Sequence, residues 1–296
     1  MSRARSCNTS RTVRWKPPAY CAARCAVVTN QTRALGSRWY DRVPLELHGH
    51  RKKLEYVLDS VEQLRRARDV KVERIAVLEI GCSNGRILTL PLAERGYDVT
   101  GIDLHEPSIA QAVADNTLPN ARFICRSAEE FIAVQSFDVV VLSDILEHVG
   151  DPRRLLGMAA RLLNPGGIVL ICIPNGFGPA EIERRMLERT GADRVLLRIR
   201  GTVNRLRGRE RVAYNNDSGH IQRFRRTDIE RLIADAGLRI EDCRKGALFG
   251  GAVSYPIGNL LPGLVRVSLA LADRLPFACV STWYFRCTAP DGPSAS

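Results

Sequence analysis

The segment Leu78-Glu79-Ile80-Gly81-Cys82-Ser83-Asn84-Gly85-Arg86 has the residue types of a turn that receives a ligand. It closes an apolar, β-branched run from Ile75 to Ile80. Small residues there let the backbone turn tightly and approach a bound group, while the amides at the start of the following helix face it. Twenty-two residues beyond Gly81, a second strand-like run ends in Gly101-Ile102-Asp103-Leu104. Asp103 is thereby placed where a carboxylate can accept hydrogen bonds from ribose hydroxyls. Turn, amides and acid together describe a cleft for a nucleoside-containing cofactor at the carboxyl ends of parallel strands. The dinucleotide fingerprint G-x-G-x-x-G is absent, because Gly81 and Gly85 are separated by three residues and no third glycine follows at the expected offset. A nicotinamide-dependent oxidoreductase is therefore the weaker reading of this turn.

The elements that must position these residues alternate strictly. Leu54, Val57, Leu58, Val61 and Leu64 have helical spacing and predict an amphipathic helix ending among Arg65, Arg66 and Arg68. After the first strand and its turn, a helix runs to about Arg95, followed by strand Asp98 to Asp103 and a helix from Pro107 to about Asp115. A third strand, Arg122 to Cys125, leads through a short helix near Glu129 to strand Phe137 to Leu142, whose apolar run suits a strand covered on both faces. Asp151 caps a helix with Pro152 in its first position, and Asn164-Pro165-Gly166-Gly167 turns the chain into strand Ile168 to Ile173. Asn175 to Gly219 is an Arg- and Gly-rich insertion, partly helical at best. Thr227-Asp228-Ile229-Glu230 reads as a capping box opening a helix to Gly237, before strand Leu238 to Cys243. The apolar stretch Leu248 to Val280 contains one good helical segment, Gly263 to Arg274, and strand Ser281 to Cys287 closes the sheet. The predicted fold is α/β: a doubly wound, Rossmann-like, seven-stranded, mostly parallel sheet with the last strand antiparallel and helices on both faces.

Charge and cysteine usage narrow the class. Of the net +12, eight positive charges fall within residues 1–40, where there is no acid, leaving +4 for the rest. Residues 1–45 therefore read as a basic, unstructured extension and 46–296 as one domain, and no nucleic-acid partner is expected. Nine cysteines, an odd number without a C-x-x-C pair, several within apolar strands, point to a reducing, cytoplasmic setting. No run of about 20 apolar residues predicts a spanning helix.

With these landmarks in order, the chain resembles the class I methyltransferases, particularly the ubiquinone-biosynthesis-like and methyltransferase type 11/23 groups, over roughly residues 50 to 245. The resemblance rests on Leu78 to Gly85, Gly101-Ile102-Asp103, Phe137-Asp138-Val139-Val140 with Asp144-Ile145-Leu146-Glu147-His148-Val149, Leu163-Asn164-Pro165-Gly166-Gly167, and His220 followed by Phe224 and Thr227. It implies S-adenosylmethionine as cofactor. The implied contacts are Glu79, Gly81 and Gly85 to its methionine part, Asp103 to the ribose, and Leu104 with Ser127-Ala128-Glu129 around the adenine. Ser127 stands where the family has an acid, and Ser83 where it has glycine, so a positive φ at Ser83 would be strained. Cys82, Ser83 and Ser143 complete the expected cofactor-contacting set.

The reaction so implied is an in-line displacement that needs alignment, exclusion of water and, for a hydroxyl acceptor, a base; it needs no metal. The candidate bases are His148 and His220, with Asp144 as an orienting group; Asp144 and His148 share a face if their turn is helical. His48, His50 and His105 read as surface residues. The expected activity is transfer to a small molecule, foremost at a hydroxyl oxygen. Carbon or nitrogen transfer to a sugar, lipid or natural product, and a non-catalytic cofactor-binding protein, are the alternatives. The 175–219 insertion, whose arginines are diluted by acids, reads foremost as a solvated helix face, with a lid over an anionic acceptor as the alternative; the 248–280 excursion reads foremost as packing against the sheet edge, with a lipid-like acceptor or peripheral membrane contact as the alternative.

Overall fold

The computed structural model describes residues 49–131, 136–192, 195, 198, 202, 220–248 and 262–289, with 262–266 described for the backbone alone. The expected extension at 1–45, and parts of the 175–219 and 248–280 segments, lie outside the described residues. Helix α1 (His50–Ala67) precedes strand β1 (Ala76–Ile80), α2 (Thr89–Glu94), β2 (Asp98–Asp103), α3 (Glu106–Asp115), β3 (Ala121–Cys125) and β4 (Phe137–Ser143). Then follow α4 (Pro152–Arg161), β5 (Leu163–Pro174), α5 (Pro179–Thr190), α6 (Arg226–Asp235), β6 (Arg239–Lys245), α7 (Pro262–Arg274) and β7 (Thr282–Thr288). The seven strands lie in the order β3-β2-β1-β4-β5-β7-β6, with β7 antiparallel to both neighbours.

Alternation of side chains across the sheet divides the core into two layers. Leu78, Ile80, Val140, Leu142, Val169 and Ile171 pack on one face with Leu155, Leu156 and Ala159 of α4 and Ile229 and Ile233 of α6. Val77, Val139, Val141, Ile168 and Leu170 face the other way, against Leu54, Val57 and Val61 of α1 and against Leu90 and Leu92. The chain winds outward from β1 to β3, then returns to β4 and winds the other way. The carboxyl ends of β1 and β4 therefore form the switch point where such sheets bind ligands.

Several local expectations change. Residues 128–130 form a turn and no helix, since Ser127 Oγ accepts from Glu130 N and closes the segment at once. Strand β5 begins at Leu163, paired with Phe137, so the Asn-Pro-Gly-Gly turn is a kink within a longer strand, with φ +68 at Gly166. Helix α5 is a full 12-residue helix within the insertion, opened by Pro179 and closed by Gly191 at φ +68. At α6 the helix is capped at Arg225, with Asp228 in its third position accepting from Arg225 N at 3.0 Å, two residues ahead of the register expected from Thr227 and Glu230.

One buried polar knot holds the amino ends of the central strands. Asp138 is 6% exposed; it accepts from Ala76 N and Asn164 Nδ2 at 2.8 Å and pairs with Arg68. Removing the carboxylate leaves three donors without an acceptor, so Asp138→Ala is expected to cost about 3–5 kcal/mol, the range for breaking a buried pair. Urea unfolding of the two proteins measures it, and a loss below about 1 kcal/mol would mean water replaces the carboxylate.

Candidate functional site

A cavity of about 380 Å³ opens at the switch point, walled by the turn after β1, the end of β2, the end of β4 and one side chain of α1. At its floor Gly81 adopts φ +81, and its amide and that of Cys82 donate to Ile102 O at 2.8 and 3.0 Å. A Cβ on Gly81 would lie 2.5 Å from Ile145 Cδ1, so the position demands glycine on both conformational and steric grounds. Ser83 takes φ +50, the left-handed conformation that was expected to be strained for it. Its amide donates to Asp103 Oδ2 at 2.8 Å while His105 N donates to Oδ1 at 2.8 Å, so one carboxylate ties the two turns together.

Of the residues singled out from the sequence, Glu79, Gly81, Cys82, Ser83, Asp103, Leu104, Ala128, Glu129, Ser143, Asp144 and His148 all reach the cavity wall. Gly85, Ser127 and His220 are not on the wall. Gly85 lies behind the turn with φ +69, where a Cβ would enter the ring of Phe123; that packing accounts for the glycine. His220 stands beyond His148, their rings edge to face at 5.0 Å and 75°. Asp144 has φ +50 and donates its amide to Cys172 O, and only Leu146–His148 form a single 3₁₀ turn, so Asp144 and His148 share no helical face. They meet at the cavity by loop geometry.

Sequence reasoning missed Lys53. Its side chain is buried under the site, and Nζ donates to Ser143 Oγ at 3.0 Å and to Asp144. Burial opposes the charge on Lys53, but Asp144 outweighs it and holds the ammonium above its ordinary range. Partial desolvation at the cavity would raise the Asp144 carboxyl, which is still part-exposed, and Lys53 instead holds it below the usual carboxylate range. A signal was present: Lys53 sits at helical spacing at the head of the buried stripe that continues through Val57, Val61 and Leu64 on α1. His105, taken as a surface residue, lines the cavity with Nδ1 2.7 Å from Ser108 Oγ. His50, also taken as surface, is half-buried beside Asp144; His48 lies outside the described residues. Arg126 joins the wall as well.

Two further carboxyls carry the marks of burial. Glu147 is pushed up to about 8 by burial and by the charge of Asp144, and its buried Oε2 has no hydrogen-bond partner among the described residues. Among the described residues, Glu147, His148 and His220 bring ligand-type atoms within 4.8 Å of one another. Glu79, 4% exposed, accepts from Thr89 Oγ1, and burial pushes it up to about 8. A carboxyl that titrates near 4.5 in the unfolded chain and near 8 in the fold takes up a proton on folding between those values. Its contribution is whole below pH 4.5 and is lost as pH rises to about 8. The unfolding free energy of Glu79→Gln, measured from pH 5 to 9, is expected to fall less steeply than that of the parent; parallel curves would place the Glu79 titration elsewhere.

Turn, acid and strand order now stand together at one cavity. The methyltransferase-domain family matches residues 49–242. The chain belongs to that family. By family and fold, residues 49–242 form a methyltransferase domain of the class I, S-adenosylmethionine-dependent kind. Among curated relatives, the ubiquinone biosynthesis O-methyltransferase of Saccharophagus degradans is 34% identical over 145 residues, covering 48% of this chain and 58% of the relative. That of Caulobacter vibrioides is 34% identical over 128 residues, covering 42% and 49%. This methyltransferase thus spans about half the length of the curated relatives it matches. Solved structures share its fold: magnesium protoporphyrin IX methyltransferase from Synechocystis with bound SAH has a TM-score of 0.50 at 15% identity, covering 82% of this chain and 84% of that one. The plantazolicin methyltransferase in complex with a substrate analogue and SAH also has a TM-score of 0.50, at 16% identity, covering 85% and 88%. Among the described residues no helix is long and apolar enough to cross a membrane.

Proposed function

We propose that this cavity holds S-adenosylmethionine and that the methyl group passes to a hydroxyl oxygen of a small-molecule acceptor, with His148 receiving the proton. The observation that carries this reading is the position of His148, which shares the cavity wall with Asp144 and the glycine turn while His220 stands off it. The side chains present suit the cofactor. Asp103 accepts two amides and keeps lone pairs for ribose hydroxyls. Leu104 is 69% exposed on the cavity, an apolar surface for a purine to cover. Lys53 uses two of its three hydrogens on Ser143 and Asp144, and its third remains for the α-carboxylate. When bound, S-adenosylmethionine supplies an electrophilic methyl group on a sulfonium. The work of the chain is alignment and proton removal: Lys53 pins Asp144, the glycine turn fixes the floor, and His148 accepts the acceptor's proton.

The names of the relatives favour oxygen as the acceptor atom, over about half their length. An apolar acceptor body fits better than an anionic one. Ile145, Val149 and Leu155 line the cavity, whereas Arg184, Arg185 and Arg223 are drawn onto Glu181. A second reading is favoured by Glu147 Oε2, which has no partner among the described residues: Glu147, His148 and His220 would hold a divalent cation, which would supply Lewis-acid activation of an acceptor hydroxyl.

Calorimetric titration with S-adenosylmethionine, S-adenosylhomocysteine and NAD, followed by a radiolabelled-methyl screen of phenols, alcohols and amines with and without chelator, tests both readings. Micromolar adenosyl-ligand binding and a methyl ether product support the proposal. With His148→Ala, kcat is expected to fall about 100-fold at unchanged cofactor affinity. NAD binding or an N-methyl product overturns the proposal, and turnover lost to chelator and restored by magnesium establishes the second reading.

A further inference from the structure

Glu181 lies in the first turn of α5, outside the cavity, and is 4% exposed. Arg184 donates Nε to Oε2 at 2.9 Å and a terminal nitrogen to Oε1 at 2.6 Å; Arg223 Nε reaches Oε1 at 2.8 Å and Arg185 Nε at 3.4 Å. The remaining neighbour is His220, whose Nδ1 lies 3.5 Å from Oε2. Three guanidinium groups already satisfy this carboxylate, so an anchoring role would not require a histidine.

The histidine is held from its other side too. Ile221 N and Gln222 N both donate to Glu147 O, at 3.0 and 3.1 Å, and Gln222 Nε2 donates to Val149 O at 2.7 Å. Residues 220–222 are thus stitched to 147–149, the segment that carries His148. An ionised carboxylate only accepts hydrogen bonds. The ring nitrogen facing it must therefore carry the hydrogen, since a lone pair there would face negative charge. In a neutral imidazole the other nitrogen then bears the lone pair.

We propose that Glu181 is a positioning residue for the site: it fixes His220 as the Nδ1–H tautomer and orients its ring, so that Nε2 is the basic atom offered to the His148 and Glu147 cluster. This deepens the functional reading above, on which its catalytic consequence rests; the tautomer itself does not depend on that reading. Burial and three arginines keep the balance on the ionised side: burial raises the Glu181 carboxyl, and the hydrogen bonds from His220, Arg184 and Arg223 more than reverse it, holding it well below the usual carboxylate range. The arrangement parallels the carboxylate that orients a metal-ligating histidine, where removing the outer partner costs about 10- to 100-fold.

The test is multiple-bond ¹⁵N–¹H NMR of the full chain, labelled at histidine and without ligand, at pH 9 where imidazoles are neutral, with His220 assigned by His220→Gln. The expected spectrum shows the Nδ1–H tautomer for His220 in the parent and in Arg223→Gln, which removes a different Glu181 partner. Glu181→Gln gives a mixture or the Nε2–H form. Glu181→Asp, which keeps the charge, retains the Nδ1–H form if it folds as the parent does by circular dichroism. An Nε2–H tautomer in the parent, an unchanged spectrum in Glu181→Gln, or an equal change in Arg223→Gln overturns the proposal. Once an acceptor is in hand, Glu181→Gln should lower kcat about tenfold with cofactor affinity unchanged, and add nothing to His220→Ala. Absence of turnover in every protein would count against the functional reading and leave the tautomer result standing.

Discussion

Replacing Asp103 by Ala is expected to weaken binding of S-adenosylmethionine and S-adenosylhomocysteine by at least about 100-fold. In the function proposed, the carboxylate performs two tasks in one place. It offers acceptors at the end of β2 to a ribose, and it holds Ser83 N and His105 N at 2.8 Å each. Hydrogen bonds to a charged acceptor contribute about 1.5–3 kcal/mol apiece, so losing a ribose pair alone accounts for roughly two orders of magnitude in affinity. Loss of the internal ties adds to this, because Ser83 occupies φ +50 only while its amide is held. Asp103→Asn separates the two tasks: one amide oxygen remains to accept, while the Nδ2 group must face a backbone donor. Calorimetry should rank the affinities parent, Asn, Ala. A change of less than about fivefold in the Ala variant, with the thermal midpoint preserved, would remove Asp103 from the ribose.

The second large effect belongs to Lys53→Met. The variant keeps the length and apolar stem of the side chain and deletes the ammonium group that reaches Ser143 and Asp144. Asp144 and the buried carboxyls Glu79 and Glu147 then lose a common counter-charge. Truncating one partner of a fully buried pair costs about 3–5 kcal/mol. Here the Asp144 side chain is 41% exposed and can rehydrate, so a stability loss of about 1–2 kcal/mol is expected. Cofactor affinity should fall by tens-fold, with the loss confined to ligands that carry the α-carboxylate. Adenosine and 5′-methylthioadenosine, which lack it, should bind the variant and the parent alike. Equal losses for all four ligands would show that Lys53 merely shapes the cavity, and Lys53→Met with Asp144→Asn in a double-mutant cycle would then report its coupling to Asp144.

The parts of the site that could be read in advance are those built within one strand–turn–helix unit. Gly81 and Ser83 follow β1 directly, and Asp103 ends the next strand, so about 25 residues of local pattern place them. Asp144 and His148 were named together for a different reason than the one that holds: helical spacing was expected, and a left-handed Asp144 followed by a 3₁₀ turn is what brings both to the wall. His105 reads as a surface residue in the sequence, and its hydrogen bond to buried Ser108 holds it at the cavity.

From the sequence by itself come the doubly wound sheet, the glycine floor and the acid at the end of β2. Each of these depends on periodicity, turn chemistry and the fixed hand of strand–helix–strand connections, which act over short stretches of chain. The tertiary structure alone decided the charges. Lys53 meets Ser143 and Asp144 across 90 and 91 residues, and Glu181 meets Arg223 across 42. No local propensity encodes such meetings; they follow from which helix covers which end of the sheet, and a buried charge is stable only where that packing supplies its partner.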